Sequence, residues 1–236
     1  MVVFDIGGTD EAFRAQQELS RLSVATTQAE AMDAVHALHE IVCYAAVTVE
    51  EETVPTVKAL YALLRMDGFC WPQFVLQLLE TILSVDGVLE SETPLMARVR
   101  EEVMRGESLV RERRDDPSRD VRGAAILLLS HMSEDPAADF QRYTTECLDE
   151  PDAVLQADLA VAAAACAWES GGAVDQATAV AWSKQALEHP NPAVVFRAGR
   201  YLLEQSIELQ GVDVAGIVAA AEPLVMERRL FRMEYM

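Results

Sequence analysis

The sequence predicts an all-α chain of stacked antiparallel helix pairs, an α-solenoid, and three observations carry that expectation. The first is composition. Apolar residues make up 51% of the 236, aromatics only 6%, with 11 Gly and 9 Pro. That is enough apolar matter for a sizeable core and too few turn residues for an all-β protein. The second is periodicity, with apolar residues recurring at helical spacing through most of the chain. The third is repetition. DDPSRDVRGAAILLLSHM, DEPDAVLQADLAVAAAACAW and HPNPAVVFRAGRYLLEQ align on Pro117, Pro151 and Pro192. Four residues on stands an apolar side chain (Val121, Leu155, Phe196), and six residues on a small one (Gly123, Ala157, Ala198). The prolines lie 34 and 41 residues apart, and another helical pattern precedes each segment. A helix pair at this period cannot bury its apolar stripe alone, so pairs must stack.

The elements follow in order. Residues 2–10, VVFDIGGTD, resemble the first phosphate-binding segment of the sugar-kinase and actin-like ATPase superfamily. That superfamily needs a second strand directly after the glycine turn, whereas DEAFRAQQELSRL follows here, a helix with Thr9 or Asp10 as N-cap. No second phosphate segment and no adenosine-binding Gly-Gly segment appears downstream, so the phosphate reading is set aside. Residues 1–25 are read as an N-terminal arm and first helix, ahead of one solenoid domain over 26–236.

Thr27 to Val42 places Met32, Val35, Leu38 and Val42 on one helical face. Val54 to Met66 follows, with Pro55 in its first turn, and Glu50, Glu51 and Glu52 stand at that N-terminus, where the helix dipole favours them. Phe69 to Pro72 breaks the chain, and Phe74 to Val85 is a further apolar helix closed by Asp86-Gly87. Thr93-Pro94 opens a long Arg-rich helix expected to run to about Arg114. The first helices of the next two pairs are expected over Phe140–Leu148 and Val174–Leu187. Leu127, Leu128 and Leu129 are consecutive, so at least one must point away from the local core. Ala157, Ala160 and Ala162 to Ala165 leave room for close helix approach. The C-terminal stretch from Val214 is expected to cap the last pair with Leu230 and Phe231 buried.

The repeated segments resemble HEAT repeats, whose second helix opens with a turn Asp, then Pro, then Val-Arg and Ala. Asp116-Pro117 with Val121-Arg122 and Ala124 is the best match. The likeness covers about residues 93–209, is weaker over 27–87 and is absent in 1–25. It implies a right-handed solenoid of the bacterial HEAT-like type. It also implies ladder pairs of Asp116 with Arg122 and Asn191 with Arg197, interrupted where the middle repeat has Glu150 and Gln156. Partners of such proteins often bind the concave face lined by the second helices. On that basis Asp158, Glu169, Arg200, Glu204 and Glu208 are candidate groove residues. Arg200, Glu204 and Glu208 fall at i, i+4 and i+8, so they are also placed to pair with one another. Trp71, Trp168 and Tyr201 are the candidate aromatic anchors.

Net charge is −20, with 17 Arg to 2 Lys, which together with abundant Ala suggests a GC-rich bacterial genome. Such a chain repels a nucleic-acid backbone on average and attracts a basic partner. Residues 1–93 hold 15 acidic and 4 basic side chains, the most acidic third. The cluster from Arg98 to Arg122 is interleaved with Glu101, Glu102, Glu107, Glu112, Asp115, Asp116 and Asp120, the pattern of an ion-paired, solvated face. His36 and His39 share a helix face beside Glu40 but lack a third histidine nearby, so no metal site is assigned. No Gly-x-Ser-x-Gly, P-loop or His-Glu-x-x-His occurs, so no catalytic residue and no cofactor is assigned. The scattered Cys43, Cys70, Cys147 and Cys166 are read as buried free thiols in a reducing cytoplasm. There is neither a signal-peptide pattern nor an apolar run long enough to span a membrane. The sequence thus points to a cytoplasmic, non-enzymatic solenoid that clamps a basic protein, of immunity or regulatory type. The alternative is an enzyme or small-ligand protein of specialised metabolism that uses the same groove.

Overall fold

Polar side chains that accept the first free N–H groups set most helix starts. Thr9 Oγ1 accepts from Ala12 N–H at 2.9 Å and opens α1 (Asp10–Val24). Thr27 opens α2 (Gln28–Val42) with a capping box: its hydroxyl takes the Glu30 N–H, and the Glu30 carboxylate takes the Thr27 N–H at 3.1 Å. The computed structural model describes residues 8–44, 48–84, 93–169 and 171–230. Among these every element is helical except one two-residue antiparallel ladder, β1 (Cys43–Tyr44) with β2 (Thr48–Val49). The chain divides into two compact units, Met1–Leu128 and Leu129–Met236.

In the first unit, α3 (Thr53–Leu64) and α4 (Pro72–Ser84) follow β2, then α5 (Pro94–Met104), α6 (Glu107–Glu112), a 3₁₀ turn (Arg113–Asp115) and the start of α7 (Arg119–His131). α1 packs on α2 and α3, α2 on α4, and α3 on α4 and α5. Thr53, fully buried, donates to the Val42 carbonyl at 2.8 Å and accepts the Glu50 N–H at 3.1 Å, tying the start of α3 to the end of α2. On α2 the buried face is Ala31, Ala34, Val35, Leu38, Ile41 and Val42. Met32, expected on that face, is 39% exposed, because the stripe centres one position round the helix, on Ala31. Of the three consecutive leucines, Leu128 and Leu129 are buried and Leu127 is half-buried. The stop expected at Asp86-Gly87 lies outside the described residues.

The long helix expected from Pro94 to Arg114 is broken at Arg105-Gly106, and Tyr61 explains the break. Its hydroxyl donates to the Val103 carbonyl at 2.6 Å, sharing with the Gly106 N–H an acceptor at the end of α5. Its ring lies where a Cβ on residue 106 would project. Glycine therefore stands where α3 presses the aromatic against the backbone. Arg113 then donates to the Leu64 carbonyl at 2.6 Å, so the chain beyond the break closes the C-terminus of α3.

In the second unit, Asp135 caps α8 (Pro136–Asp149), α9 (Ala153–Glu169) follows, and Asp175 caps α10 (Gln176–Ala186). Asn191 caps α11 (Pro192–Glu204) and Asp213 caps α12 (Val214–Arg228). α9 packs on α8 and α11, and α11 on α10 and α12. Ala157, Ala160, Ala162, Ala163 and Ala164 are all fully buried, so much of the buried surface of α9 is methyl groups, with Leu155, Leu159 and Cys166 beside them. Phe140 and Trp182 meet edge to face at 5.8 Å.

Helices α11 and α12 both end in Schellman motifs built without glycine. Ser206 (φ 54°) and Arg229 (φ 49°) take the left-handed conformation. The Ile207 N–H then bonds the Leu202 carbonyl at 2.8 Å, and the Leu230 N–H bonds the Val225 carbonyl at 3.2 Å. The second motif turns Leu230 onto Ala157, Ala193 and Val225, where it is buried as expected of a cap. Phe231 lies outside the described residues.

Gly106→Ala is expected to destabilise the fold by about 1–3 kcal/mol through overpacking against Tyr61. Ser206→Gly, by relieving a left-handed serine, is expected to stabilise it by up to about 1 kcal/mol. Urea unfolding followed by circular dichroism measures both, and equal midpoints for the three proteins would refute the two strain assignments.

Candidate functional site

A concavity of the second unit lies between the turn that opens α11 and the outer stripe of α12. It holds about 330 Å³ and is lined by His189, Pro190, Pro192, Val195, Ile217, Ala220, Ala221, Leu224 and Arg228. The way α12 sits produces it. Val214, Val218, Ala221 and Val225 face inward and are buried. Gly199 lets α12 approach α11, since a Cβ there would overlap the Val218 side chain. Ile217, Ala220, Leu224 and Arg228 then form a second stripe, at i, i+3, i+7 and i+11, that no helix of the unit covers. Leu224 is 41% exposed and neighbouring Met226 73% exposed.

Asn191 fixes the opposite wall. Its side-chain oxygen accepts the Ala193 N–H at 3.0 Å, and its amide donates to the Ala153 carbonyl at 2.8 Å and to Gln156 Oε1 at 3.0 Å. The Pro192 turn is thereby bonded to the start of the preceding Pro-led helix. The expected ladder took Gln156 for an interruption, yet an amide at each end makes a neutral rung. Arg122 also departs from its expected partner's carboxylate and donates instead to the Asp116 and Pro117 carbonyls, at 2.9 and 3.2 Å. Asp116 binds Arg113 at 3.3 Å and the Ser118 N–H at 2.9 Å. His189 Nδ1 accepts the Asn191 N–H at 3.1 Å. Burial pushes this imidazole below the ordinary histidine value, and accepting that bond requires the neutral ring.

The residues expected to form a binding face differ in burial and are divided between the two units. Trp71 lies in the first unit, half-buried, its Nε1–H bonded to the Ala25 carbonyl at 2.9 Å and its ring stacked on Phe74 at 6.0 Å. It pins two turns together and projects no anchor. In the second unit Asp158 and Tyr201 are buried at 2% and 4% exposure. Trp168, at the C-terminal end of α9, is 52% exposed and is the one tryptophan of the three that offers its ring to solvent. Glu169 is the last residue of the same helix. Arg200 pairs with Glu204 at 2.8 Å, and Arg197 reaches Glu204 at 3.7 Å. Glu208 does not continue their stripe, because left-handed Ser206 has already ended the helix. Sequence reasoning missed the groove itself. Its signal was the apolar character of both faces of α12, which a single buried stripe does not need.

The other constellations are used within the fold. Arg98 pairs with Glu51 at 3.4 Å, Arg105 with Glu101 and Glu102 at 2.6 Å each, and Arg111 with Glu107. This is the interleaved pairing the sequence predicted for the cluster. Thr9, the described end of the kinase-like stretch, donates its hydroxyl to Glu52 at 2.6 Å and caps α1; Val2 to Gly7 lie outside the described residues. His36 is exposed and His39 half-buried, and among the described residues no three His, Cys, Asp or Glu side chains are grouped to hold a metal. Burial pushes His39 below its ordinary value, helped by the His36 charge and opposed by Glu40. Cys43 and Cys147 are buried, and burial pushes both thiols up to about 12. Cys166 is buried as well, but Cys70, expected in the interior, is exposed in the turn before α4. No helix among the described residues is long and apolar enough to cross a membrane. Compared with protein-family models, curated proteins and solved structures, the chain matches none.

Two outcomes check this placement. Iodoacetamide is expected to modify Cys70 alone in the native protein and all four cysteines in urea; mass spectrometry showing rapid native labelling of Cys43 or Cys147 would refute it. The second concerns His39 and His189, which are depressed in the folded state, so as pH falls the unfolded chain takes up protons first. Their contribution is complete above about 6.5 and is lost as pH falls through the folded values. The urea midpoint is expected to drop between pH 7.5 and 5.5, and to drop less in the double variant His39→Gln, His189→Gln.

Proposed function

We propose that the chain is a non-enzymatic protein-binding scaffold that clamps a basic partner protein, as an immunity-type or regulatory protein does, its helix pairs stacked as a HEAT-like α-solenoid. The observation that carries the reading is uncovered apolar surface on a strongly acidic molecule. Leu224, which lines the groove, and Met226 on the same helix stand exposed in a chain of net charge −20. Large apolar side chains kept in water next to a formed groove mark a place where another surface docks. The excess of carboxylates would steer a basic protein toward it. The Asn191–Gln156 rung supports stacking, since it ties one Pro-led helix to the next. The arginine pairing from Arg98 to Arg111 weighs against a nucleic-acid enzyme, which would need that cluster free. The groove weighs against the small-ligand alternative because it is open, whereas free small molecules favour sites that bury most of their surface.

The test is capture of partners on the immobilised protein at low salt, followed by stopped-flow association of the purified partner. The association rate is expected to fall by about tenfold or more between low and high ionic strength. A rate indifferent to salt, or capture confined to acidic proteins, would overturn the reading.

A further inference from the structure

We infer that the α11–α12 groove receives an amphipathic helix of the partner that lays apolar residues along Ile217 and Leu224 and sets a carboxylate against Arg228. The inference rests on the protein-binding reading and narrows it to one site and one chemistry. Three observations converge. The stripe from Ile217 to Arg228 spans about 16 Å of helix, the length over which a partner helix presents residues at i, i+4, i+7 and i+11. The facing wall, Pro190, Pro192 and Val195, is apolar and is held by the bonds of Asn191, so the trough is formed before anything enters it. Its open side leaves Leu224 41% exposed, which suits a helix that buries one face and keeps the other in water.

Charge selects the occupant. The groove lining contains no acidic residue; of its two ionisable side chains His189 is held neutral and Arg228 supplies the charge. Glu222 and Glu227 are exposed on α12 but do not line it. In a chain of net charge −20, a lining with this sign is the local complement of a carboxylate. A partner that is basic as a whole, and so steered by the acidic surface, would still seat through a helix bearing Glu or Asp at the Arg228 end.

The experiment uses fluorescein-labelled synthetic helices with a leucine stripe and a single terminal Glu, at either end, each with a Lys counterpart, titrated into the full chain by anisotropy. One Glu peptide is expected to bind about tenfold or more tightly than its Lys counterpart. Arg228→Glu is expected to reverse that preference, and Leu224→Asp to weaken both peptides about tenfold or more. Both positions are exposed, and circular dichroism confirms that the variants fold. Absence of binding, equal affinity for Glu and Lys peptides, or an unchanged preference in Arg228→Glu overturns the assignment. So does a groove-dependent dimer in sedimentation, which would make a second copy the occupant. So does much tighter peptide binding by a chain ending at Leu230, which would make residues 231–236 the occupant. The two readings fail separately. If Leu224→Asp and Arg228→Glu leave salt-sensitive capture of the basic partner intact, the groove assignment falls and the protein-binding reading stands. If no basic protein is captured while the Glu preference holds, the reverse follows.

Discussion

The second unit depends on one constraint, that α9 has neighbours on more than one side and meets them with a buried surface in which five alanines stand beside Leu155, Asp158, Leu159 and Cys166. Five of its alanines are fully buried, and α8 and α11 both pack against it. The alanine face cannot take larger side chains without pushing its neighbours apart, since overpacking in a close-packed core is itself destabilising. Its own burial gain per residue is small, because a methyl group removes little area from water. The larger apolar contribution comes from the flanking helices, through Phe140 and Tyr143 on α8 and Leu202 on α11. α9 thus works as a thin spacer that sets how closely α8 and α11 approach it. That approach brings the α11 turn within reach of Ala153 and Gln156, which Asn191 then bonds.

From that point the groove follows by packing geometry. With the α11 turn pinned, Gly199 admits α12 with its Val214–Val225 stripe inward, and the Schellman turn at Arg229 folds Leu230 beneath it. A fifteen-residue helix with apolar side chains on two faces satisfies one of them in this way and leaves the other as a wall. Covering the second face would take another helix, and none of the described helices of the second unit is placed to do so. The uncovered surface is therefore a consequence of how the last helix closes the unit.

The first unit shows a different economy, in which hydrogen bonds from side chains to backbone carbonyls join elements far apart in sequence. Tyr61 reaches Val103, Trp71 reaches Ala25, Arg113 reaches Leu64 and Thr53 reaches Val42. Each satisfies an acceptor at or near a helix end, where the intrahelical ladder runs out. Polar and aromatic residues that look like functional candidates in the sequence are consumed by this duty. Trp71 is the plainest case. Its indole appears as an interface anchor in the sequence and is a bolt between two turns in the structure.

Local chemistry was legible. Thr9 and Thr93 are recognisable as helix openers from residue type and position, because a cap involves only neighbours within three residues; Asp135 and Asp175 cap α8 and α10, where the expected starts are Phe140 and Val174 instead. The all-helical character followed from periodicity for the same reason, and so did the ion pairing of the arginine cluster, whose partners are mostly three or four residues away. What sequence alone did not disclose depends on contacts distant along the chain. Nothing local marks Gly106 as the break in a long helix, since the Tyr61 ring that demands it comes 45 residues earlier. Nothing local marks Ser206 as the end of the Arg200–Glu204 stripe, since a left-handed serine is held there by burial of the residues it redirects. The second face of α12 was visible only as excess hydrophobicity. Whether a neighbour covers that face is decided by how the last helix docks, which is a property of the packed unit and of no single segment.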